Sequence, residues 1–307
     1  MIKQIVFGTR GSPLAILQTN RVIEKLKVLY PQISYKRKII KTQGDRDQDS
    51  SLTLTEELGL FSNEIQSELI KHNIDAAVHS LKDVPVEYSE ELTLVAIPER
   101  VDVRDVLFHP EGLSIRDLLP GSIIGTCSLR RMGQLLNLRK DLVIKDIRGN
   151  IQTRIDKVHS GEYDAIILAA AGLLRLKHDI SKYYIFNLDE IIPAPGQGAI
   201  AVETRSDDEQ LITMISRIDN LNIREAVEVE RCILKHIGTD CSVPIGVCAF
   251  SRENALDIVA CHVDPNSGKK IIVKREKLQG QTKEIAKVIS DKLLAIMGEN
   301  IATKYRA

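Results

Sequence analysis

"SIIGTCSLRRMGQLLNLRKDLVIKDIRGNIQTRIDKVHSGEYDAIILAAAG", residues 122–172, alternates short apolar runs with helical patterns. "SIIGT" reads as a strand, and "SLRRMGQLLNLRK" opens a helix with Ser128 in the cap position. "LVIKDIR" is the next strand, "NIQTRIDKVHSG" the next helix, and "DAIILAAAG" a buried third strand. Strand–helix alternation of this kind implies a parallel sheet with helices on both faces. The fold class read from it is α/β.

The same pattern extends towards the N-terminus. "IKQIVFGT" reads as a strand, and Ser12-Pro13 supplies a helix cap with a first-turn proline. Ala15, Val22, Leu26 and Leu29 then recur at helical spacing. "ISYKRKIIK" is a second strand, and "TQGDRDQDSS" a polar loop. Phe61, Ile65 and Leu69 mark another helix, and "DAAVHSL" and "LTLVAIP" two more strands. Towards the C-terminus, "DEIIPAPGQGAIAVETR" is rich in proline and glycine before turning strand-like. It reads as a crossover back into the first domain. After residue 220 comes the helix "NIREAVEVERCILKHIG", with Ile223, Val227, Leu234 and Ile237 on one face and Gly238 at its stop. "VPIGVCAFS", "ALDIVACHV" and "KKIIVKREK" follow as strands, and "QTKEIAKVISDKLLAIM" as a closing helix. The expectation is three domains: 1–98 with 199–217, 103–193, and a small α+β domain at 220–307. No internal repeat is visible.

Composition narrows the function classes. Lys plus Arg and Asp plus Glu each number 42, a formal net charge of zero. Nucleic-acid and membrane-surface binders usually carry a basic excess, so neither partner is expected. Tryptophan is absent and aromatics make up 4%, leaving no base-stacking platform. The five cysteines include no C-x-x-C, and no histidines stand at ligand spacing, so neither a disulfide framework nor a metal site is expected. "MIKQIVFGTRGSPLA" reads as a first strand rather than a signal peptide, and a cytoplasmic protein is expected.

Several charged segments fall at strand-to-helix junctions or just beyond. "GTCSLRR" holds Arg130 and Arg131, "IRGN" holds Arg148 with Arg154 six residues on, and "AAAGLLRL" holds Arg175. "GTRGSP" adds Arg10 and Ser12. Ligands of open parallel sheets bind outside the carboxyl ends of the strands. Helix N-termini there attract anions, and arginine forks suit carboxylate or phosphate. Taken singly, each of these arginines reads as part of a solvated helix face. Their recurrence after strands favours a cleft for a ligand with several negative charges. "AAVHSLKDVPVE" places His79, Ser80, Lys82 and Asp83 at another strand end. Asp83 there is able to steady positive charge or carry a proton. A Lys–Asp surface pair leading into a turn is the plain alternative. "PAPGQGA" is a rigid bend, and "GTDCSVPIG", residues 238–246, sets Cys241 between turn-forming residues, as a reactive loop thiol or a packed one.

Together "GTRGSPLA", "AVHSLKDVPVE", "GTCSLRR", "IRGNIQTR", "GEYDAIILAAAGLLRL", "PAPGQGA" and "DCSVPIG" resemble the porphobilinogen deaminase (hydroxymethylbilane synthase) family, in that family's order from residue 7 to 246. The resemblance implies two lobes like those of type II periplasmic binding proteins, hinged around a cleft, plus a third domain. It implies condensation of four porphobilinogen molecules into hydroxymethylbilane with release of ammonia. The cofactor implied is dipyrromethane, held through a thioether to Cys241. By the same resemblance Lys82, Ser128, Arg130, Arg131 and Arg148 contact cofactor, and Arg10, Ser12, Arg154 and Arg175 bind substrate carboxylates. Asp83 matches the catalytic aspartate, which steadies the cationic azafulvene left when ammonia departs. A monomer is expected, with porphobilinogen as its small-molecule partner. Two departures stand out: Glu56-Glu57-Leu58 where Gly-Gly-Lys is usual, and Cys127 where a small hydroxyl residue is common. A non-catalytic two-lobed binding protein for a small polycarboxylate is the alternative, and it leaves Cys241 unexplained.

Overall fold

The computed structural model describes residues 2–42, 62–87, 89–238, 244–252 and 255–297. The chain forms two compact units, residues 1–101 with 198–224 and residues 102–197 with 225–307.

In the first unit the chain runs through β1 (Gln4–Thr9), α1 (Pro13–Leu29), β2 (Ser34–Ile39), α2 (Asn63–Ile70), β3 (Ala76–Ser80) and β4 (Leu92–Arg100). It returns from the second unit as β10 (Ala199–Arg205) and α6 (Glu209–Ile215). The sheet order is β2-β1-β3-β10-β4. β1 is parallel to both neighbours, and β10 lies antiparallel between β3 and β4. Helix α1 starts where expected: Ser12 Oγ accepts the Ala15 N–H at 3.3 Å, and Pro13 fills the first turn. Val22, Ile23 and Leu26 bury its inner face, whereas Leu29, the last helical residue, is 47% exposed rather than part of that face. Alternate strand residues face opposite sides of the sheet. Phe7, Val78 and Val202 join α1 in one core, and Ala77 joins Ile65 and Leu69 of α2 in another.

The second unit repeats this plan. Its elements are β5 (Asp105–Phe108), β6 (Ile123–Gly125), α3 (Leu129–Leu138), β7 (Val143–Lys145), α4 (Ile151–His159), β8 (Ala165–Ala169), α5 (Ala170–Arg175) and β9 (Tyr184–Ile185). The order is β7-β6-β8-β5-β9, with β6 parallel to β7 and β8, and β5 antiparallel to β8 and β9. Leu107, Ile124 and Ile167 pack with Leu135 of α3, while Val106, Ile166 and Leu168 pack with Ile155 and Val158 of α4. Helices therefore cover both faces, as the alternation in residues 122–172 implies. The sheets are mixed because each takes in one antiparallel strand that follows directly on a passage from the other unit.

The likeness of the two sheets extends to side chains, although no repeat is legible in the sequence. The Val6 N–H donates to Asp75 Oδ2 at 2.7 Å, and the Asp75 N–H donates to Val6 O at 2.9 Å. In the second unit the Ile123 N–H donates to Asp164 Oδ2 at 2.6 Å, and the Asp164 N–H to Ile123 O at 3.0 Å. Asp75 fixes β3 against β1, and Asp164 fixes β8 against β6, the corresponding parallel pair of the other sheet.

Residues 225–297 keep a sheet of their own within the second unit. Helix α7 (Leu221–Ile237) precedes β11 (Ile245–Arg252), β12 (Ala255–Val263) and β13 (Lys270–Leu278), an antiparallel meander followed by α8 (Thr282–Met297). Val227, Leu234 and Ile237 are buried on α7, Ile223 only partly. Gly238, at φ 78°, ends that helix in the left-handed conformation expected of a glycine stop. Val103 and Ile192 share a core with Cys248, Val259 and Cys261, joining the meander to the rest of the unit. This is the expected α/β architecture: two mixed-sheet lobes and a small C-terminal α+β part.

The closest approach in that junction is at Gly246, where an added Cβ would lie 2.6 Å from the backbone oxygen of Ile192. Gly246→Ala is therefore expected to destabilise the chain by about 1–3 kcal/mol. A lower denaturation midpoint at unchanged m-value checks it.

Candidate functional site

In the first unit, β1 and β3 are parallel neighbours, so their carboxyl ends open on the same edge of the sheet. Arg10 and Ser12 follow β1, and Lys82 and Asp83 lie in a single 3-10 turn, Leu81–Asp83, directly after β3. All four are partly exposed. Leu81, fully buried, anchors the turn, and the Val84 N–H closes it onto Leu81 O at 3.1 Å. Ser80 is held to α1 by the Gln18 amide, whose Nε2 donates to Ser80 Oγ at 2.9 Å. These contacts fix the backbone on which Lys82 and Asp83 stand.

His79 points away from that edge. Its Nε2 lies 3.4 Å from Glu203 Oε2 on the neighbouring β10, and both side chains are buried. Glu203 Oε1 accepts the Gln66 Nε2–H at 2.9 Å. His79 is thus held in the interior of the sheet, beside Glu203.

In the second unit β7, β6 and β8 are adjacent and parallel, and a helix follows each. Ser128 caps α3, its Oγ accepting the Arg131 N–H at 3.4 Å. Asn150 caps α4, its Oδ1 accepting the Thr153 N–H at 3.0 Å. Arg148 stands in the turn before that cap, half-buried. Arg154, one turn into α4, folds back so that Nε donates to Gly149 O at 2.8 Å. Arg175 ends α5 and is only 5% exposed. Ser128, Arg148 and Arg154 thus gather at the carboxyl ends of neighbouring strands, while Arg175 is buried on the short helix after β8.

Arg130 and Arg131 turn inward, which excludes the solvated-face reading for both. Arg130 Nη1 donates to Asp105 Oδ2 and to Ile192 O, each at 2.8 Å. Arg131 Nη2 donates to Asp105 Oδ1 at 2.6 Å, and its Nη1 to Ile167 O at 3.2 Å. Gln197 adds an Nε2–H to Asp105 Oδ1 at 3.0 Å and another to Val103 O at 2.7 Å. Burial alone would raise the Asp105 carboxyl. The two guanidinium groups outweigh that cost and hold it well below the usual carboxylate range. Arg131 Nε is buried and has no hydrogen-bond partner among the described residues.

Asp105 is the residue that reading the sequence misses; its only local signal is an acid opening the apolar run "DVLF". Glu230 is another. It is fully buried in α7 and accepts the Gly196 N–H at 2.6 Å and the Ala249 N–H at 2.7 Å. The "PAPGQGA" bend is thereby tied to β11. The Cys127 thiol donates to Ile147 O at 3.1 Å, and burial, with Asp146 adding, pushes its pKa up, which disfavours the thiolate. Cys241, the loop at 43–53 and Glu56 to Phe61 lie outside the described residues. Among the described residues no cluster of potential metal ligands occurs, and no helix is long and apolar enough to cross a membrane.

Removing the Asp105 charge leaves two buried guanidinium groups without a counter-ion. Asp105→Asn is expected to cost about 3–5 kcal/mol of stability. Because the folded carboxyl titrates below its ordinary value of about 4, its contribution is present above that pH and fades as pH falls further. Unfolding midpoints measured from pH 6 down to pH 2 are expected to show this loss in the wild type and a shallower slope in Asp105→Asn.

Comparison with known proteins places this arrangement. The family profile described as "Porphobilinogen deaminase, dipyromethane cofactor binding domain" matches residues 5–213, and "Porphobilinogen deaminase, C-terminal domain" matches residues 224–295. A porphobilinogen deaminase of Limosilactobacillus reuteri is 40% identical over 297 residues, covering 96% of this chain and 97% of that relative. One of Geobacillus kaustophilus is 45% identical over 268 residues, covering 86% of each. Among solved structures, the methionine-binding protein MetQ aligns with 70% of this chain and 89% of its own at 13% identity and a TM-score of 0.46. With both family domains matched in order and relatives aligned nearly end to end, this chain belongs to the porphobilinogen deaminase family.

Proposed function

We propose that this chain is the transferase that condenses four porphobilinogen molecules into hydroxymethylbilane, releasing ammonia, in haem and other tetrapyrrole biosynthesis. The observation that carries this reading is the ordered match of both family domains. The donor chemistry agrees with it. Each porphobilinogen bears an acetate and a propionate, and the second unit offers guanidinium groups and capped helix N-termini at adjacent strand ends. The buried, unpartnered Nε of Arg131 suits a carboxylate acceptor, so the residues present fit a dipyrromethane group.

Ser128, Arg130, Arg131, Arg148 and Lys82 would hold that cofactor, with Cys241 as its thioether anchor. When bound, dipyrromethane supplies the tethered pyrrole end on which the chain is extended. Arg10, Ser12, Arg154 and Arg175 are assigned to carboxylates of substrate. Asp83 is assigned the reactive centre. Its carboxylate accepts the hydrogen bond of a pyrrole N–H, offsets positive charge as ammonia leaves, and takes up or returns a proton. The 3-10 turn matters here because it fixes Lys82 and Asp83 on one short, anchored stretch. The protein is read as a cytoplasmic monomer. A non-catalytic polycarboxylate binder is not favoured, since it has no use for Cys241.

Intact-protein mass spectrometry tests the assignment. The wild type, expressed where porphobilinogen is available, is expected to carry the mass of two pyrrole units, and Cys241→Ser none. A wild-type chain with only its polypeptide mass overturns the reading. Asp83→Ala is expected to keep the added mass and to lose at least about 100-fold in kcat. Near-normal turnover by that variant would remove Asp83 from the chemistry.

A further inference from the structure

Asp105 is fully buried and makes three side-chain bonds: Arg130 Nη1 at 2.8 Å, Arg131 Nη2 at 2.6 Å and Gln197 Nε2 at 3.0 Å. Each guanidinium has a second anchor on a backbone carbonyl, Ile192 O for Arg130 and Ile167 O for Arg131. Two points fix the plane of a rigid fork. The carboxylate is itself positioned, since Gln197 spans from Asp105 to Val103 O at 2.7 Å. Two guanidinium charges against one carboxylate (2 − 1) leave the cluster with one net positive charge. The one buried donor of the Arg131 fork that remains unpartnered is Nε.

We propose that Asp105, set in place by Gln197, is the positioning residue of this anion-binding cluster. It orients both guanidinium planes and reduces their combined charge to that which one carboxylate arm of a pyrrole neutralises. Without it the two arginines repel each other and are free to turn towards solvent. With a second acid beside it the cluster would carry no net charge and hold no anion. The inference rests on the proposed function and adds a residue that touches neither cofactor nor substrate.

The test compares wild type, Asp105→Asn and Gln197→Leu, purified from cells that make porphobilinogen and studied well below their melting temperatures. Intact mass reads cofactor loading, and steady-state kinetics at several salt concentrations separate KM from kcat. Asp105→Asn is expected to drop loading below half and to raise KM at least tenfold. Its KM is also expected to depend more steeply on salt, because a charge has been unmasked. Gln197→Leu, which loosens the carboxylate but keeps all three charges, is expected to raise KM about three- to tenfold with wild-type salt dependence. A purely structural role would lower the melting temperature of Asp105→Asn while leaving loading, KM and the salt slope unchanged, and that result overturns the proposal. If Asp105→Asn does not fold, Gln197→Leu decides: full loading with unchanged KM overturns it. A wild type lacking the two-pyrrole mass overturns the proposed function instead, so the two failures are distinguishable.

Discussion

Two guanidinium groups share one carboxylate in the interior of the second unit. Taking three charges out of water is costly, and the arrangement persists because each guanidinium faces the shared carboxylate and is hydrogen-bonded to it and to a backbone carbonyl. Asp105 is the hub of that arrangement. Through it the first turn of α3 is bound to β5, and the carbonyls of Ile167 and Ile192 add β8 and the segment before the proline bend. A helix start that would otherwise be a basic, solvated patch becomes a rigid donor surface.

The first unit solves a different problem with the same sheet. There the strand ends present Lys82 and Asp83 on an anchored turn, and the neighbouring interior holds the Glu203–His79 pair instead of an arginine cluster. One plan of four parallel strands and one inserted antiparallel strand thus carries two chemistries. Asp75 and Asp164, which accept a backbone N–H from β1 and β6 respectively, are the common structural element. The chemical differences lie in the few residues after each strand, where side chains are not required for packing.

Much of this was legible in the sequence, for physical reasons. Periodic apolar residues and short polar caps are local signals. The helix after Ser12-Pro13, the helix after Ser128 and the helix ending at Gly238 all start or stop where those signals stand. The charged residues after strands are equally visible. Buried polar partners are not, because they form across distance: Arg130 meets Asp105 25 positions away, and Gln66 meets Glu203 137 positions away. Nor does a local pattern tell whether a strand is inserted parallel or antiparallel, which depends on the path the chain takes between units. Arg130 and Arg131 are buried, against the solvated-face reading that either takes singly, and the reason is the same: no local rule announces a buried counter-ion.

The chain passes between the units at 101/102, 197/198 and 224/225, and β10 lies between β3 and β4. Synthesis therefore delivers the N-terminal part without the strand that connects β4 to its sheet. The first 101 residues emerge from the ribosome as an unfinished sheet with an unfilled slot, and wait for nearly a hundred more residues to be translated before Ala199–Arg205 arrives. Translation at about 5–20 residues per second makes that wait several seconds long. During it, the bare edges of β3 and β4 are open to pairing with other nascent chains. Chaperone demand and tolerance of ribosomal pausing in this protein follow from where one strand is inserted.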